Sequence, residues 1–292
     1  MENTTSKAGK VSQLLEQLTE SATLAMARMS RELAQQGHKV VSLSLGEPDF
    51  DTPDFIKEAA KKAIDDNITH YPPVNGFLDV RQAICKKFER DNGLKYTPDQ
   101  IVVSTGAKQA IANTILALVE KGDEVLMPSP YWVSYAEIVK IAGGIPIEIL
   151  ATVENDYKVT VEQLKASITD RTKVIIYSSP CNPTGTVYSR SELEAFAEVI
   201  EQHEGLYVIS DEIYHGLVYE DRGHSILEYT NNAFVLKCFS KLYAMTGLRL
   251  GYVIAPKECV RPMQKLQQNL FICAGSTAQR AGIAALNSAQ KD

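Results

Sequence analysis

The chain lacks the features that mark several large classes of protein. None of its apolar runs approaches the roughly eighteen residues that a membrane-spanning helix needs, and its first residues do not have the layout of a signal peptide. Its five cysteines form no C-x-x-C pair, which predicts neither a disulfide framework nor a zinc site. No basic block stands out and the formal net charge is −6, which argues against nucleic acid or an anionic membrane as a partner. We therefore expect a cytoplasmic protein that binds a small molecule and no metal.

What is present is the composition of an ordinary globular protein. Hydrophobic residues make up 45% and charged residues 23% of the 292 residues, values close to the average of folded domains. This length exceeds that of a typical single domain, although proteins built on one large α/β sheet reach it. The sequence has no repeats or low-complexity tracts, and so it shows no sharp internal boundary.

Short apolar runs alternate with amphipathic ones through most of the chain. An arm followed by a helix is predicted between Val11 and Gln36, with Gly37 as the stop, and another helix in DFIKEAAKKAID. Strand-like runs then alternate with helical patterns; they are IVVST, DEVLMPSP, KVIIYSSP, LYVISDE, AFVLKCFS and LRLGYVIAP. This alternation predicts an α/β fold with a mainly parallel sheet covered by helices on both faces. The functional site of such a sheet is expected at the carboxyl ends of its strands.

Two of these strand ends carry residues that suit a flat, phosphorylated ligand. In STGAKQA, a strand ends in small residues and opens directly into a helix, whose free backbone N–H groups and dipole suit a phosphate. An ordinary strand-to-helix turn has the same appearance. In PSPYWVSY, the single tryptophan, Trp132, follows a strand at a point where its indole can lie over an aromatic ring. A core position fits Trp132 equally well.

Two further strand ends carry polar side chains that suit a heteroaromatic ring. Asn182 in SSPCNPTG can donate an amide hydrogen to a ring oxygen. Asp211 in SDEIYHG ends a buried strand, which is costly unless the acid meets a cation such as a protonated ring nitrogen. Tyr214 can bond a neighbouring phenolic oxygen. A helix-capping Asp with a packed Tyr remains an alternative, and the sequence does not decide whether the Ser-Pro and Asn-Pro bonds at these ends are cis.

The stretch KCFSKLYAMTGLRLGY holds the last two candidates. Lys241 can form a Schiff base with an aldehyde, because a lysine near cations and apolar walls loses its proton more readily. Arg249 can grip a phosphate with its planar guanidinium. Taken singly, each residue type is more often a surface residue. The order of all five signals along the chain points to one site.

These residues resemble a known enzyme family. FSKLYAMTGLRLGY is similar to the signature of the class I aminotransferases, fold-type I pyridoxal-phosphate enzymes, in their aspartate aminotransferase-like branch. The resemblance runs from LSLGEPDFDTPDFI through HYPPVNG, STGAKQA, SSPCNPTGTVYS and SDEIYHGLVY to about Leu286. It implies a seven-stranded, mainly parallel sheet in a large cofactor-binding domain at residues 48–292, preceded at 1–47 by an arm and part of a small domain.

The resemblance also implies a role for each candidate. Lys241 would hold the aldehyde of pyridoxal 5'-phosphate and later move a proton, and Asp211 would keep the pyridine nitrogen protonated so that the ring can accept electrons. Asn182 and Tyr214 would address the phenolic oxygen of the ring, and Trp132 would stack on the ring. The phosphate would be held by Gly106, Ala107, Lys108, Ser240 and Arg249.

Two implied roles concern the substrate and a second subunit. Tyr71 would reach the phosphate of the neighbouring subunit, which implies a homodimer. Gly46 would lie beside the substrate carboxylate, with Trp132 and Asn182 also in contact with the substrate. The expected reaction is ping-pong transfer of an amino group from an L-amino acid to a 2-oxo acid.

The sequence departs from the family pattern at three points. Cys238 stands where some relatives have a serine that touches the phosphate, and Cys181 stands where asparagine is common. The arginine that clamps the substrate α-carboxylate belongs to a C-terminal small domain that this chain does not contain. We therefore expect a fragment or truncated form that binds cofactor but turns over poorly.

Other functions remain open at this point. A lyase or cyclopropane-forming synthase of the same fold would use the same cofactor, and a catalytically silent paralogue would keep the fold alone. A nucleotide-binding domain has little support, because STGAKQA matches neither G-x-G-x-x-G nor a Walker loop.

Overall fold

The computed structural model describes residues 12–43, 46–219 and 223–288. The chain divides after Gly46 into two units. In the described part of the first unit, α1 (Gln13–Glu16) and α2 (Ala22–Gln35) lie in the range predicted as an arm followed by a helix, and Val11 falls outside the described residues. The break falls in a segment with Thr19 and Ser21, residue types whose side chains compete for backbone hydrogen bonds.

Within the described residues of the second unit, seven strands form one sheet. Its order is β1-β7-β6-β5-β4-β2-β3, and β7 runs antiparallel to both of its neighbours while the other pairs are parallel. The prediction of a mainly parallel sheet of seven strands is confirmed. In chain order the strands are β1 Ile101–Ser104, β2 Glu124–Ser129, β3 Ile145–Leu150, β4 Thr172–Ser178, β5 Tyr207–Asp211, β6 Ala233–Cys238 and β7 Gly251–Ile254.

Helices connect these strands, and several start with a side-chain cap. Ser189 precedes one of them, its hydroxyl accepts the backbone N–H of Glu192, and the Glu192 side chain returns the bond. None of the described helices is both long and apolar enough to cross a membrane. The helices of the second unit are α3 Asp54–Asp65, α4 Leu78–Asn92, α5 Ala107–Leu118, α6 Ser134–Ile141, α7 Val161–Ser167, α8 Arg190–Glu201, α9 Lys257–Leu270 and α10 Ser276–Asn287.

Alternation along the strands creates two hydrophobic cores, one on each face of the sheet. In β1, Val102 packs into one core and Val103 into the other, because successive strand side chains point to opposite faces. One core includes Ile111 of α5 and Val139 of α6. The other includes Phe88 of α4 and residues of α8 and α10. Both faces are therefore covered, as the near-continuous apolar strands predict.

One close backbone contact ties the start of β7 to the start of α5. Gly251 pairs with Ser104 on one side and Cys238 on the other. A Cβ atom built on Gly251 would lie 2.7 Å from the backbone carbon of Gly106 and 2.8 Å from the backbone nitrogen of Ala107. Only glycine lets these two segments approach so closely.

We therefore expect Gly251→Ala to destabilise the protein by about 1–3 kcal/mol, the usual cost of an overpacked site. Urea unfolding followed by circular dichroism measures this change. Gly247→Ala is the matched control, since a Cβ built there meets nothing within 4 Å, and it should alter stability by less than about 0.5 kcal/mol. Equal effects of the two substitutions would contradict the proposed backbone contact.

Candidate active site

The predicted site residues follow strand ends that meet at one edge of the sheet. Ser178 at the end of β4 pairs with Asp211 at the end of β5. Cys238 at the end of β6 pairs with Gly251 at the start of β7, which pairs in turn with Ser104 at the end of β1. Because β7 runs in the opposite direction, the residues before it lie at the same edge as the residues after the other strands. The segments that carry Asn182, Tyr214, Lys241, Gly106 and Arg249 therefore start from this edge.

Asp211 is a buried carboxylate with neutral hydrogen-bond partners. It is 5% exposed, and its Oδ2 accepts a hydrogen bond of 2.7 Å from the Tyr135 hydroxyl. Its Oδ1 accepts a longer one, 3.4 Å, from the backbone N–H of Ile213. None of the described lysine, arginine or histidine side chains forms an ion pair with it. Burial raises the pKa of Asp211 to about 6, although the bonds from Tyr135 and Ile213 act the other way.

Tyr135 is the residue of this site that the sequence analysis missed. It is fully buried in α6, and it packs edge to face on Trp132, with ring centroids 5.5 Å apart. The only sequence signal is its position three residues after Trp132, which places both rings on one side of a helical turn. Burial, followed by the negative charge of Asp211, raises the pKa of the Tyr135 hydroxyl, so that it stays a donor.

Tyr214 and Cys238 lie near Asp211 as well. Burial raises the pKa of Tyr214, and the charge of Asp211 raises it further. Burial likewise raises the pKa of the Cys238 thiol, which is partly offset by hydrogen bonds with Ser240 and the backbone of Lys241. The turn that holds half-buried Lys241 is closed by a bond from the Ala244 N–H to the Lys241 carbonyl, 3.3 Å.

Two cationic side chains, Lys108 and Arg249, lie where β1 opens into α5. Gly106 has φ +80 and precedes α5 without a side-chain cap, so the first N–H groups of the helix have no side-chain acceptor. A Cβ built on Gly106 would lie 2.5 Å from Nη2 of Arg249, which shows that the guanidinium covers this glycine. Burial, and then the charge of Arg249, lower the pKa of Lys108. Neither cation forms an ion pair with a described carboxylate.

Trp132 and Asn182 flank this edge from β2 and β4. The ammonium of Lys108 lies 4.8 Å from the centroid of the Trp132 ring. The Asn182 backbone N–H donates to the Ser178 hydroxyl at 3.2 Å, and Asn182 lines a cavity of about 940 Å³ together with Tyr214. The Ser-Pro and Asn-Pro peptide bonds whose isomer the sequence does not decide are cis. They are Ser129-Pro130, Ser179-Pro180 and Asn182-Pro183.

Tyr71 lies apart from these residues, on an anchored loop. It is 82% exposed, whereas the loop around it is held by hydrogen bonds from side chains of α9 and α10. Ser276 donates to the carbonyl of Ile68 at 2.7 Å, and the Gln267 side-chain amide donates to the carbonyl of Val74. Tyr71 is thus an exposed side chain on a loop whose backbone is held by hydrogen bonds. Gly46 belongs to the first unit, and its role stays a prediction.

The residues present fit pyridoxal phosphate at both of its charged ends. The helix start and the Arg249 guanidinium suit the phosphate, and the buried Asp211 suits a protonated ring nitrogen. In the described part of the chain, no three His, Cys, Asp or Glu side chains are grouped to hold a metal ion.

Similar proteins agree with this fit. The family model for aminotransferase class I and II matches residues 38–292. The aspartate/prephenate aminotransferase of Cereibacter sphaeroides is 45% identical over 291 residues, which cover 96% of this chain and 72% of that protein. The aspartate aminotransferase of Geobacillus stearothermophilus is 42% identical over 287 residues, which cover 97% of this chain and 73% of that one.

Solved structures of aspartate aminotransferases have the same fold as this chain. The aspartate aminotransferase from Thermus thermophilus with maleate has a TM-score of 0.93 and 39% identity, covering 96% of this chain and 73% of that one. The enzyme from Rhizobium meliloti has a TM-score of 0.94 and 35% identity, covering 97% and 72%. The family resemblance, the fold, the cofactor and the amino-transfer reaction predicted from sequence are confirmed, and the lyase and synthase alternative is not favoured. The chain belongs to the class I and II aminotransferases, and within them to the pyridoxal-phosphate-dependent enzymes of fold type I.

Proposed function

We propose that the residues at this edge of the sheet hold pyridoxal phosphate and serve the transfer of an amino group from an L-amino acid to a 2-oxo acid. The observation that carries the proposal is the pairing of a buried acid without a cation, Asp211, with a helix start covered by an arginine, Arg249. The first suits a protonated pyridine nitrogen, and the second suits a phosphate.

The phosphate end would be held mainly by fixed groups. Backbone N–H groups of Ala107 and Lys108 begin α5 and are fixed by the helix, so they lose little entropy on binding an anion. The N–H of Gly106 bonds the Ser104 carbonyl at 2.9 Å, and Gly106 would line the phosphate without donating to it. Arg249 adds a charged, planar donor and Ser240 a hydroxyl. Cys238, which replaces a serine of some relatives, is a poorer donor, and we infer one phosphate contact fewer here.

The ring end would be held by side chains from four strands. Trp132 would cover one face of the ring, and Asn182 and Tyr214 would bond its phenolic oxygen. When bound, the cofactor supplies an electron sink that stabilises the carbanion formed at the substrate Cα. Asp211 would keep the ring nitrogen protonated, and Lys241 would hold the cofactor and then take and return the proton at the substrate Cα.

The second subunit, the substrates and the cellular location are inferred from weaker support. The exposed Tyr71 on its anchored loop fits a residue that completes a neighbouring subunit's site, and we infer a homodimer. Gly46 would lie beside the substrate carboxylate. The names of the similar proteins make aspartate, glutamate and prephenate the first substrates to test. We infer a cytoplasmic location from cysteines that are all free in the described chain.

Covalent attachment at Lys241 is tested by adding pyridoxal phosphate to the chain, reducing with borohydride and mapping the labelled peptide by mass spectrometry. We expect the label on Lys241. Lys241→Ala should lose the label and weaken cofactor binding by at least about tenfold, equivalent to about 1.4 kcal/mol. Lys86→Ala, on the exposed side of α4, should behave as the unsubstituted chain. A label that persists in Lys241→Ala would contradict the role given to this residue.

Asp211→Asn should stabilise the cofactor-free protein while weakening cofactor binding. The pKa of Asp211 in the folded protein, about 6, lies above its ordinary value of 3.8. The ionised carboxylate is therefore less favourable in the folded state than in the unfolded state, and the free energy of unfolding falls as the pH rises from 3.8 through 6. At neutral pH this cost is on the order of 3 kcal/mol.

Urea unfolding at a series of pH values measures this effect. The gain from Asp211→Asn should be full above pH 6 and vanish towards pH 4, while the exposed control Asp170→Asn should show no such trend. A loss of stability in Asp211→Asn at neutral pH would contradict the account of a costly buried charge.

The dimer is tested by light scattering and by one substitution. We expect a mass twice that of the chain. Tyr71→Phe removes a hydroxyl that would reach the neighbouring phosphate, and it should weaken cofactor binding by about tenfold or more without changing the mass, because one charge-assisted hydrogen bond contributes about 1.5–3 kcal/mol. Tyr157→Phe is the control. A monomer with unchanged binding in Tyr71→Phe would contradict the shared site.

A further inference from the structure

A second cluster of charged groups lies on the reverse face of the sheet, behind the acid of the proposed site. Glu212 directly follows Asp211, so the two side chains point to opposite faces. Glu212 is 2% exposed, and its backbone N–H bonds the carbonyl of Leu236 in β6 at 3.0 Å. It thus lies where β5 and β6 end together.

Three side chains of this cluster contact one another at hydrogen-bond distance, and we call Glu212, His215 and Lys237 the reverse-face triad. The Lys237 ammonium lies 3.1 Å from Oε2 of Glu212 and 2.9 Å from Nδ1 of His215. Nδ1 of His215 is 3.0 Å from the same Glu212 oxygen. Ser225 donates to Oε1 of Glu212 at 2.7 Å. All the polar atoms of the Glu212 carboxylate are therefore engaged.

Each member of the triad adjoins a residue of the proposed site. Lys237 precedes Cys238, His215 follows Tyr214, and Glu212 follows Asp211. The imidazole of His215 fits because residue 223 is a glycine. A Cβ built on Gly223 would lie only 2.1 Å from Cδ2 of His215. Each triad residue therefore shares a peptide bond with a residue of the site.

The charges of the triad also act on Asp211, which lies on the other face of the sheet. The cation of Lys237 is the largest influence, after burial, on Glu212, and it holds the pKa of this acid at about 2. The negative charge of Glu212 in turn adds to the raised pKa of Asp211. Removing either partner of the Glu212–Lys237 pair leaves an uncompensated buried charge close behind Asp211.

The titratable neighbours of both acids are known from the structure. Those that face Asp211 are Tyr135, Tyr214 and Cys238. Those that act on or lie near the triad, besides its own members, are Lys87, Asp91, Tyr96, Tyr177, Tyr243 and Tyr252. Lys87 and Asp91 form their own ion pair, so the Glu212–Lys237 pair is the main balance of charge behind Asp211.

We propose that the reverse-face triad is a positioning and charge-balancing device for Asp211, in which the paired charges of Glu212 and Lys237 offset each other behind this acid. The triad touches neither cofactor nor substrate in this account, and its members are positioning residues. The inference rests on the proposed function, because it gives Asp211 the role of partner to the ring nitrogen.

Two substitutions that break the same ion pair separate this role from simple support of the fold. Glu212→Gln leaves the Lys237 cation behind Asp211, which favours its carboxylate. Lys237→Gln leaves the Glu212 anion, which disfavours it. Both variants should melt at lower temperature. The affinity for pyridoxal phosphate, followed by visible absorbance, should fall at low pH as Asp211 becomes protonated, and we call this fall the acid limb. It should shift to lower pH in Glu212→Gln and to higher pH in Lys237→Gln, each by about half a pH unit or more.

The double variant Glu212→Gln/Lys237→Gln restores the balance of charge, and it should return the acid limb to its original position. Glu124→Gln is the matched control, because Glu124 is a buried acid, 4% exposed, that pairs with Arg171 at the far end of β2. It should lower the melting temperature without moving the acid limb. Shifts in the same direction in both single variants, or no shift in either, would reduce the triad to a structural support and overturn the proposal.

A readout without cofactor keeps the two proposals apart. Asp211→Asn can be added to each single variant and its effect on the stability of the cofactor-free protein followed against pH. The pH at which Asp211→Asn begins to stabilise the protein should be lower in Glu212→Gln and higher in Lys237→Gln. If these shifts are found while the unsubstituted chain binds no pyridoxal phosphate, the proposed function fails and the triad's role stands. If the chain binds cofactor but the shifts are missing, the triad's role fails alone.

Discussion

The energetic demand of one buried carboxylate organises this site. Asp211 is taken out of water at the end of a central strand, where its hydrogen bonds come from a tyrosine hydroxyl and a backbone N–H. Neutral donors lessen the cost of burying a charge but do not remove it. The fold around Asp211 therefore favours a cationic partner, and the protonated nitrogen of a pyridine ring is such a partner. In the proposed function, the free energy of folding lost at Asp211 would be recovered when the cofactor binds.

The direction of one strand places a second feature, suited to an anion, at the same edge of the sheet as Asp211. Parallel strands deliver their carboxyl ends to one edge, together with the start of the following helix. The antiparallel strand β7 delivers its beginning there, and so places Arg249 above Gly106 at the start of α5. Gly251 permits the approach, since any side chain at this position would strike the backbone of Gly106. An acid and an anion site are thus fixed on one rigid frame.

Much of this arrangement could be predicted from sequence, because it follows from local patterns. Apolar runs predicted β1, β2 and β4 to β7, and the structure brings the segments beside these strands to one edge of the sheet. Strand β3 was missed because it contains Pro146 and is largely exposed at the edge of the sheet. The bond from Tyr135 to Asp211 and the pairing of Glu212 with Lys237 could not be predicted. Both join residues that are far apart in sequence, and they depend on helix orientation and strand register.

The central claim is that Asp211 holds the ring nitrogen of bound pyridoxal phosphate in its protonated form. The most direct measurement is the ¹⁵N chemical shift of ring-labelled pyridoxal phosphate bound to this chain, recorded at a pH well above the Asp211 pKa of about 6. The account predicts the shift of a protonated pyridine nitrogen, and the shift of a neutral one in Asp211→Asn. A neutral ring nitrogen in the unsubstituted protein would contradict it.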